Sequence, residues 1–261
     1  MKRWFYFVLL PPTAMFVALL FIWHFYISYF QVPAYLLPSP LKVVDAFIED
    51  HTTLLRCTWV TAKAALIGFG LATVVGIAAA VVFSLSKWVL RAVYPYTVFL
   101  QTVPIVVIAP QLIVWFGYGI KPIVASAFIV SVFPVIANTL TGLLSIDPAL
   151  RDMFRLYRAG WFATLFKLQL PSALPHIFTG LRIAAGLAVI GTIVGEFLAS
   201  FVTGDNFGLG ILVTVSIKEG NPGKVFAAVL MASALGLAMF AMINLLSWLT
   251  LRNWHSSAQG E

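Results

Sequence analysis

The sequence predicts an all-α integral membrane protein of about six transmembrane helices. Two observations carry this. Of 261 residues, 61% are hydrophobic and only 10% charged, against roughly 25% charged in soluble domains. A water-soluble globule of this size cannot hide so much apolar surface, because much of any fold stays in contact with solvent. The apolar residues also fall into runs of about 20 or more, the helix length that crosses a hydrocarbon core of about 30 Å.

Six segments qualify: Phe5–Phe30, Thr58–Phe83, Pro95–Phe116, Pro122–Ser145, Pro175–Phe201 and Lys224–Leu251. The first follows Lys2 and Arg3 as a signal peptide would. Its apolar run is too long for a signal core, however, and no small-x-small cleavage site closes it, so an uncleaved helix is expected. The third contains Pro104 and Pro110, which should kink or split it. Between the first two, Pro40–His51 places Leu41, Val44, Phe47 and Ile48 at helical spacing, with Lys42, Asp45, Glu49 and Asp50 elsewhere. That pattern predicts a short amphipathic helix on the membrane surface. The Gly-rich stretch Gly204–Pro222 surrounds a short apolar run, Leu209–Ile217, and reads as a loop with a half-inserted helix. The resulting division is 1–57 (N-terminal helix and amphipathic segment), 58–251 (membrane core, with an internal loop at 146–173) and 252–261 (tail).

The formal net charge of +7 would suggest nucleic-acid binding in a soluble chain. Here the basic residues sit mostly at helix ends, with no aromatic-basic interleaving to hold a strand, so they report topology instead. With the N-terminus inside, the inner segments hold nine: Lys2, Arg3, Lys87, Arg91, Arg151, Arg155, Arg158, Lys167 and Arg252. The outer ones hold six: Lys42, Arg56, Lys63, Lys121, Lys218 and Lys224. The excess favours cytoplasmic N- and C-termini. Cys57 is the sole cysteine, so no intrachain disulfide exists, and it reads as a small packing residue.

The longest inner loop carries the most information. Asp147-Pro148 is a helix start, since Asp caps free N–H groups and Pro suits the first turn. From there Leu150, Met153, Phe154, Tyr157 and Trp161 recur at steps of three and four, with Arg151, Asp152, Arg155 and Arg158 between them. This is an amphipathic helix with a basic face. Gly160 should weaken or bend its end, and Leu170-Pro171 and Leu174-Pro175 should break the chain before the fifth span. On periodicity alone such a helix either lies at anionic headgroups or docks into a partner's groove.

Aligned on Leu170-Pro171, this loop resembles the cytoplasmic loop of bacterial ATP-binding cassette importer permeases. Asp152 falls on that family's acid, Met153 and Phe154 stand for two alanines, and Arg158 stands where a glycine is usual. L-P-S-A-L-P-H-I-F-T-G-L-R-I-A-A-G-L-A-V-I-G-T-I-V-G-E-F (Leu170–Phe197) is similar to the nitrate, taurine and aliphatic-sulfonate branch. So are L-P-S-P (Leu37–Pro40), L-Q-T-V-P-I-V-V-I-A-P-Q-L-I-V-W-F-G-Y-G (Leu100–Gly119) and F-P-V-I-A-N-T-L-T-G-L (Phe133–Leu143). The resemblance implies the type I importer permease fold and a transport subunit that is not itself an enzyme. It further implies a second permease copy, two cytoplasmic ATPase subunits that use ATP and Mg, and an extracytoplasmic solute-binding protein. The chain itself binds no cofactor, and its sequence contains no G-x-x-x-x-G-K-[ST] phosphate loop. The ATPase-coupling residues implied are Asp152, Met153, Phe154, Arg155, Tyr157, Arg158, Ala159, Gly160, Trp161, Leu170 and Pro171. The solute is a small organic anion, sulfonate or nitrate, or a vitamin precursor; I-V-G-E-F (Ile193–Phe197) points toward the precursor members.

Within the spans, Gln101, Gln111, Asn138 and Glu196 are candidates for a translocation path, with helix-to-helix hydrogen bonding as the plainer alternative. Arg182 is expected near the inner end of the fifth span, snorkelling to the interface. Glu196 lies about 21 Å further along, too far to pair with it. His24 and His176 have no second ligand at metal spacing, and no catalytic cluster is legible. The rival reading, an ATP-independent secondary carrier or channel, predicts internal repeats and paired intramembrane charges, neither of which the sequence shows.

Overall fold

A computed structural model describes residues 10–199 and 207–252, and no strand occurs among them. Five of their helices are long and apolar enough to cross a membrane. In chain order the elements are α1 (Leu10–Phe30), α2 (Pro40–Glu49), α3 (His51–Leu85), α4 (Lys87–Thr102), α5 (Ile105–Phe116), α6 (Ile120–Leu144), α7 (Pro148–Leu156), α8 (Trp161–Leu198), α9 (Leu209–Lys218) and α10 (Pro222–Leu251). The spans are α1, α3, α6, α8 and α10. The expected start at Phe5 and end at Phe201 fall outside the described residues, as does part of the Gly204–Pro222 stretch.

The expected third span is split, at Pro104 and not at Pro110. Val103 and Pro104 are both extended, with ψ of 122° and 121°. A residue before proline is driven out of the helical region, so α4 ends there and α5 begins. Pro110 stays inside α5. Two glycines in left-handed backbone, Gly117 at φ 72° and Gly119 at φ 117°, then turn the chain into α6.

The expected break before the fifth span does not exist. Helix α8 starts at Trp161, well before Pro175, and runs unbroken for 38 residues, about 57 Å. A π-turn over Leu165–Gln169 explains how: the N–H of Leu170 bonds the carbonyl of Leu165, five residues back. The wider turn makes room for the ring of Pro171, which would otherwise clash one turn earlier. Arg182 is consequently about 31 Å along the helix from Trp161. Its Nη2 donates to Ser247 Oγ at 2.9 Å on α10, and its Nε is buried without a partner.

Helix α6 is the centre, packed between α3 and α8. Small residues let the three backbones close. A Cβ on Gly68 of α3 would lie 2.5 Å from Ala127 Cβ, and one on Gly191 of α8 would lie 2.9 Å from Ala127 Cα. Such contacts replace the hydrophobic drive that lipid does not supply. Three apolar clusters follow along the bundle. One near the α7 end joins Ala80, Phe83, Leu140, Leu143 and Ala173, and a middle one joins Phe69, Val135, Phe178, Ala188 and Met239. One near the α9 end joins Val43, Leu54, Cys57, Leu209, Leu212, Ala227 and Ala228.

Helix α1 buries no residue; it meets the bundle where Trp23 approaches Phe226, ring centroids 5.9 Å apart. Helix α2 begins at Ser39, whose Oγ accepts from the N–H of Lys42. Its buried residues are Val43 and Ala46, which join the cluster with Ala227 and Ala228 of α10; Ala46 lies beside Gly223, and Asp50 next to it pairs with Lys224 at 3.0 Å. Leu41, Val44 and Ile48 of the expected apolar face stay exposed, so α2 is tied to α10 by a second, smaller face that the sequence pattern did not single out.

Candidate functional site

The turn between α6 and α8 is built locally. Asp147 Oδ1 accepts from the N–H of Ala149 at 2.8 Å, with Pro148 in the first turn, as the sequence predicts. The helix ends earlier than expected, at Leu156. There the N–H of Arg158 bonds Arg155 O and that of Ala159 bonds Phe154 O, both at 2.9 Å. This paired closure places the residue after the cap in left-handed backbone, and Arg158 has φ 51°. The glycine usual at this position in the resembled family is thereby explained: the turn asks for a residue without a Cβ, and Arg158 holds it at a cost of about 1 kcal/mol. Gly160 does not bend α7. It is extended, and its carbonyl accepts from the N–H of Thr164 to start α8.

No residue of α7 is buried. Met153 is 42% exposed, Tyr157 81% and Trp161 45%, while Phe154 and Ala159 are half-buried. Asp152 and Arg155 form an exposed pair at 3.7 Å, a contact of little energetic weight. Leu156 and Phe162 extend the exposed apolar surface, and the sequence reading missed both: Leu156 falls off the three-four spacing, and Phe162 is visible only as the neighbour of Trp161, rings 4.6 Å apart. Leu170 and Pro171 are half-buried in the shaft of α8, about 13 Å along the axis from Trp161. They shape the helix and lie off the exposed turn.

The intramembrane candidates do not converge. Gln101 and Gln111 are exposed, in the last turn of α4 and on α5. Asn138 is half-buried and donates from Nδ2 to Pro134 O at 2.9 Å, where Gly180 of α8 presses close. These residues share no hydrogen bond with one another or with Glu196 among the described contacts. Glu196 is 0% exposed within this chain. Its Oε1 accepts from Thr61 Oγ1 at 2.9 Å and its Oε2 from the N–H of Gly210 at 2.9 Å. Thr61 Oγ1 in turn accepts from the N–H of Leu209 at 2.8 Å. The carboxylate thus joins α8, α3 and the first turn of α9. A cleft of about 460 Å³ between α4 and α6 is lined by Arg91, Tyr94 and Thr141 among apolar residues; the sequence reading singled out none of the three for a path.

Comparison with known proteins accords with this geometry. Residues 72–248 match the family described as binding-protein-dependent transport system inner membrane component. The chain is 38% identical to the formylaminopyrimidine transport permease protein of Halalkalibacterium halodurans over 237 residues, 90% of this chain and 92% of that one. It is 31% identical to the riboflavin transport system permease protein of Chloroflexus aurantiacus, covering 95% and 90%. It is 28% identical to a putative aliphatic sulfonates transport permease protein of Bacillus subtilis, covering 88% and 82%.

Proposed function

The chain belongs to the binding-protein-dependent transport system inner membrane component family and is the permease subunit of an ATP-binding cassette importer for a small solute; from that premise we propose that it works as a homodimer carrying a heteroaromatic vitamin precursor. Two ATPase chains dock at the α7 turn and hydrolyse ATP with Mg. A solute-binding protein delivers cargo at the α9 end. With the split α4–α5 pair as the sixth crossing, the α7 end and both termini face the cytoplasm, in a bacterial inner or plasma membrane.

The observation that carries this reading is the α7 turn: a capped, amphipathic helix on which Leu156 and Tyr157 are more than 80% exposed, with Met153 and Trp161 exposed beside them. Exposed apolar surface rimmed by charge marks a partner site. Met153, Tyr157 and Trp161, with Leu156 and Phe162, supply the anchors that fill a groove. Asp152, Arg155 and Arg158 set the orientation, Phe154 and Ala159 brace the helix from its half-buried side, and Gly160 starts the shaft that Leu170 and Pro171 continue. The precursor assignment is supported by the relatives named for formylaminopyrimidine and riboflavin transport and by Ile193–Phe197. Gln101, Gln111 and Asn138 remain the path candidates, the first two on the exposed surface of the split α4–α5 pair.

The test is purification of the tagged chain from its native membrane. An ATPase should come with it. Asp152→Lys, and separately Tyr157→Ala, should weaken that association about tenfold or more, the loss typical of an interface anchor, while membrane insertion stays intact. In proteoliposomes, pyrimidine-precursor uptake should require ATP and the binding protein. Uptake that persists on an ion gradient without ATP, with no ATPase retained, would instead establish the secondary-carrier reading.

A further inference from the structure

We infer that Glu196 is a positioning residue for transport: its carboxylate latches the short helix α9 onto α8 and α3, so that motion begun at the α7 turn is passed along α8 to the opposite end of the bundle. The lever half of this inference rests on the docking reading above; the latch half stands on geometry alone.

A carboxylate with no exposure in a membrane bundle is expensive and functional by default. Glu196 is held by Thr61 Oγ1 and by the N–H of Gly210, the second residue of α9. The fit is close on every side. A Cβ on Gly208 would overlap the Glu196 carboxylate, and one on Gly210 would lie 2.5 Å from Ile193 O. A helix of ten residues is marginal by itself, so α9 keeps its place through these contacts and through Leu209 and Leu212 in the cluster with Cys57.

Packing alone could hold such a helix, and a buried ionic group against an apolar neighbour is rarely the most stable choice. Two further groups show that this seat is not fully satisfied. Ser216 Oγ, on α9 itself, and Trp23 Nε1, against the same cluster, are buried without a hydrogen-bond partner. Trp161 and Glu196 lie on one unbroken helix, about 52 Å apart along its axis. A displacement at the turn therefore reaches the latch along one continuous helix, through the π-turn at Leu165–Gln169.

Cys57 is the chain's sole cysteine, is fully buried, and packs beside Leu209 and Leu212. It reports whether α9 is seated. The full permease in membranes is treated with N-ethylmaleimide. Glu196→Gln and Thr61→Val should each raise the Cys57 labelling rate about tenfold, the population change expected on losing one charge-assisted hydrogen bond. Thr61→Ser, which keeps the hydroxyl, should label like the parent. Unchanged labelling in Thr61→Val, or equal labelling of Thr61→Ser and Thr61→Val, overturns the latch, even where Glu196→Gln fails to accumulate. With the ATPase and binding protein reconstituted, trapping the nucleotide-bound state should change labelling of the parent and leave Glu196→Gln unmoved. A parent that transports with no nucleotide effect on Cys57 overturns the lever. Failure to recruit any ATPase overturns the docking reading, while the permease-only labelling still decides the latch.

Discussion

Helices α7 and α9 lie beyond opposite ends of α8, are nearly the same length at nine and ten residues, and are held in opposite ways. Helix α7 is stabilised by its own chain: Asp147 caps its start, and a left-handed Arg158 closes its end. Nothing on it is buried. Helix α9 lacks a side-chain cap of its own, since Gly208 precedes it. A carboxylate from α8 and a hydroxyl from α3 do that work across the bundle, and five of its residues are buried. Helices this short are marginal alone. One is held by its own local caps and stays exposed; the other exists because the chain encloses it.

That contrast can be broken at α9 first. Gly208→Val forces a side chain onto the Glu196 carboxylate and should destabilise the protein by about 3 kcal/mol, the upper range for overpacking. Thermal unfolding of the purified permease in detergent measures it, and an unchanged midpoint would show that α9 is loosely seated. At the α7 end the sign reverses. Arg158→Gly relieves left-handed strain and should stabilise the turn by about 1 kcal/mol. Hydrogen exchange at the Arg158 and Ala159 amides should slow by about fivefold, with no change in the global unfolding midpoint. The smallest effect belongs to the exposed Asp152–Arg155 pair. Asp152→Asn should change stability by no more than about 0.5 kcal/mol; a larger loss would mean that α7 packs on its own chain after all.

Much of the architecture was legible in the sequence because lipid imposes a simple rule. Backbone polar groups must be satisfied inside each helix, so apolar runs of sufficient length become spans, and α1, α3, α6, α8 and α10 all lie where runs were found. The Asp147 cap was equally legible, since it needs only neighbours in sequence. The failures share a cause as well. Pro171 and Pro175 were read as breaks because proline removes a local hydrogen bond, yet a π-turn absorbed the strain and α8 continued. Val43 and Ala46 of α2 do not stand out because the residues they pack with, Ala227 and Ala228, are far away in sequence. Glu196 is visible in the sequence as a carboxylate within a span, but its donors Thr61 and Gly210 lie on two other elements, so its partners are not.

Hydrophobic run length and local caps are properties of neighbouring residues, and they determined that this chain spans a membrane, where its spans lie, and that the loop before α8 carries a capped amphipathic helix. Which residues those helices bring together was decided only by the tertiary structure. Ala127 between Gly68 and Gly191, Arg182 turned to Ser247, and Glu196 joined to Thr61 and Gly210 all depend on contacts between segments distant in sequence. A buried polar group takes whatever donor the packed backbones deliver, and sequence spacing does not encode that delivery.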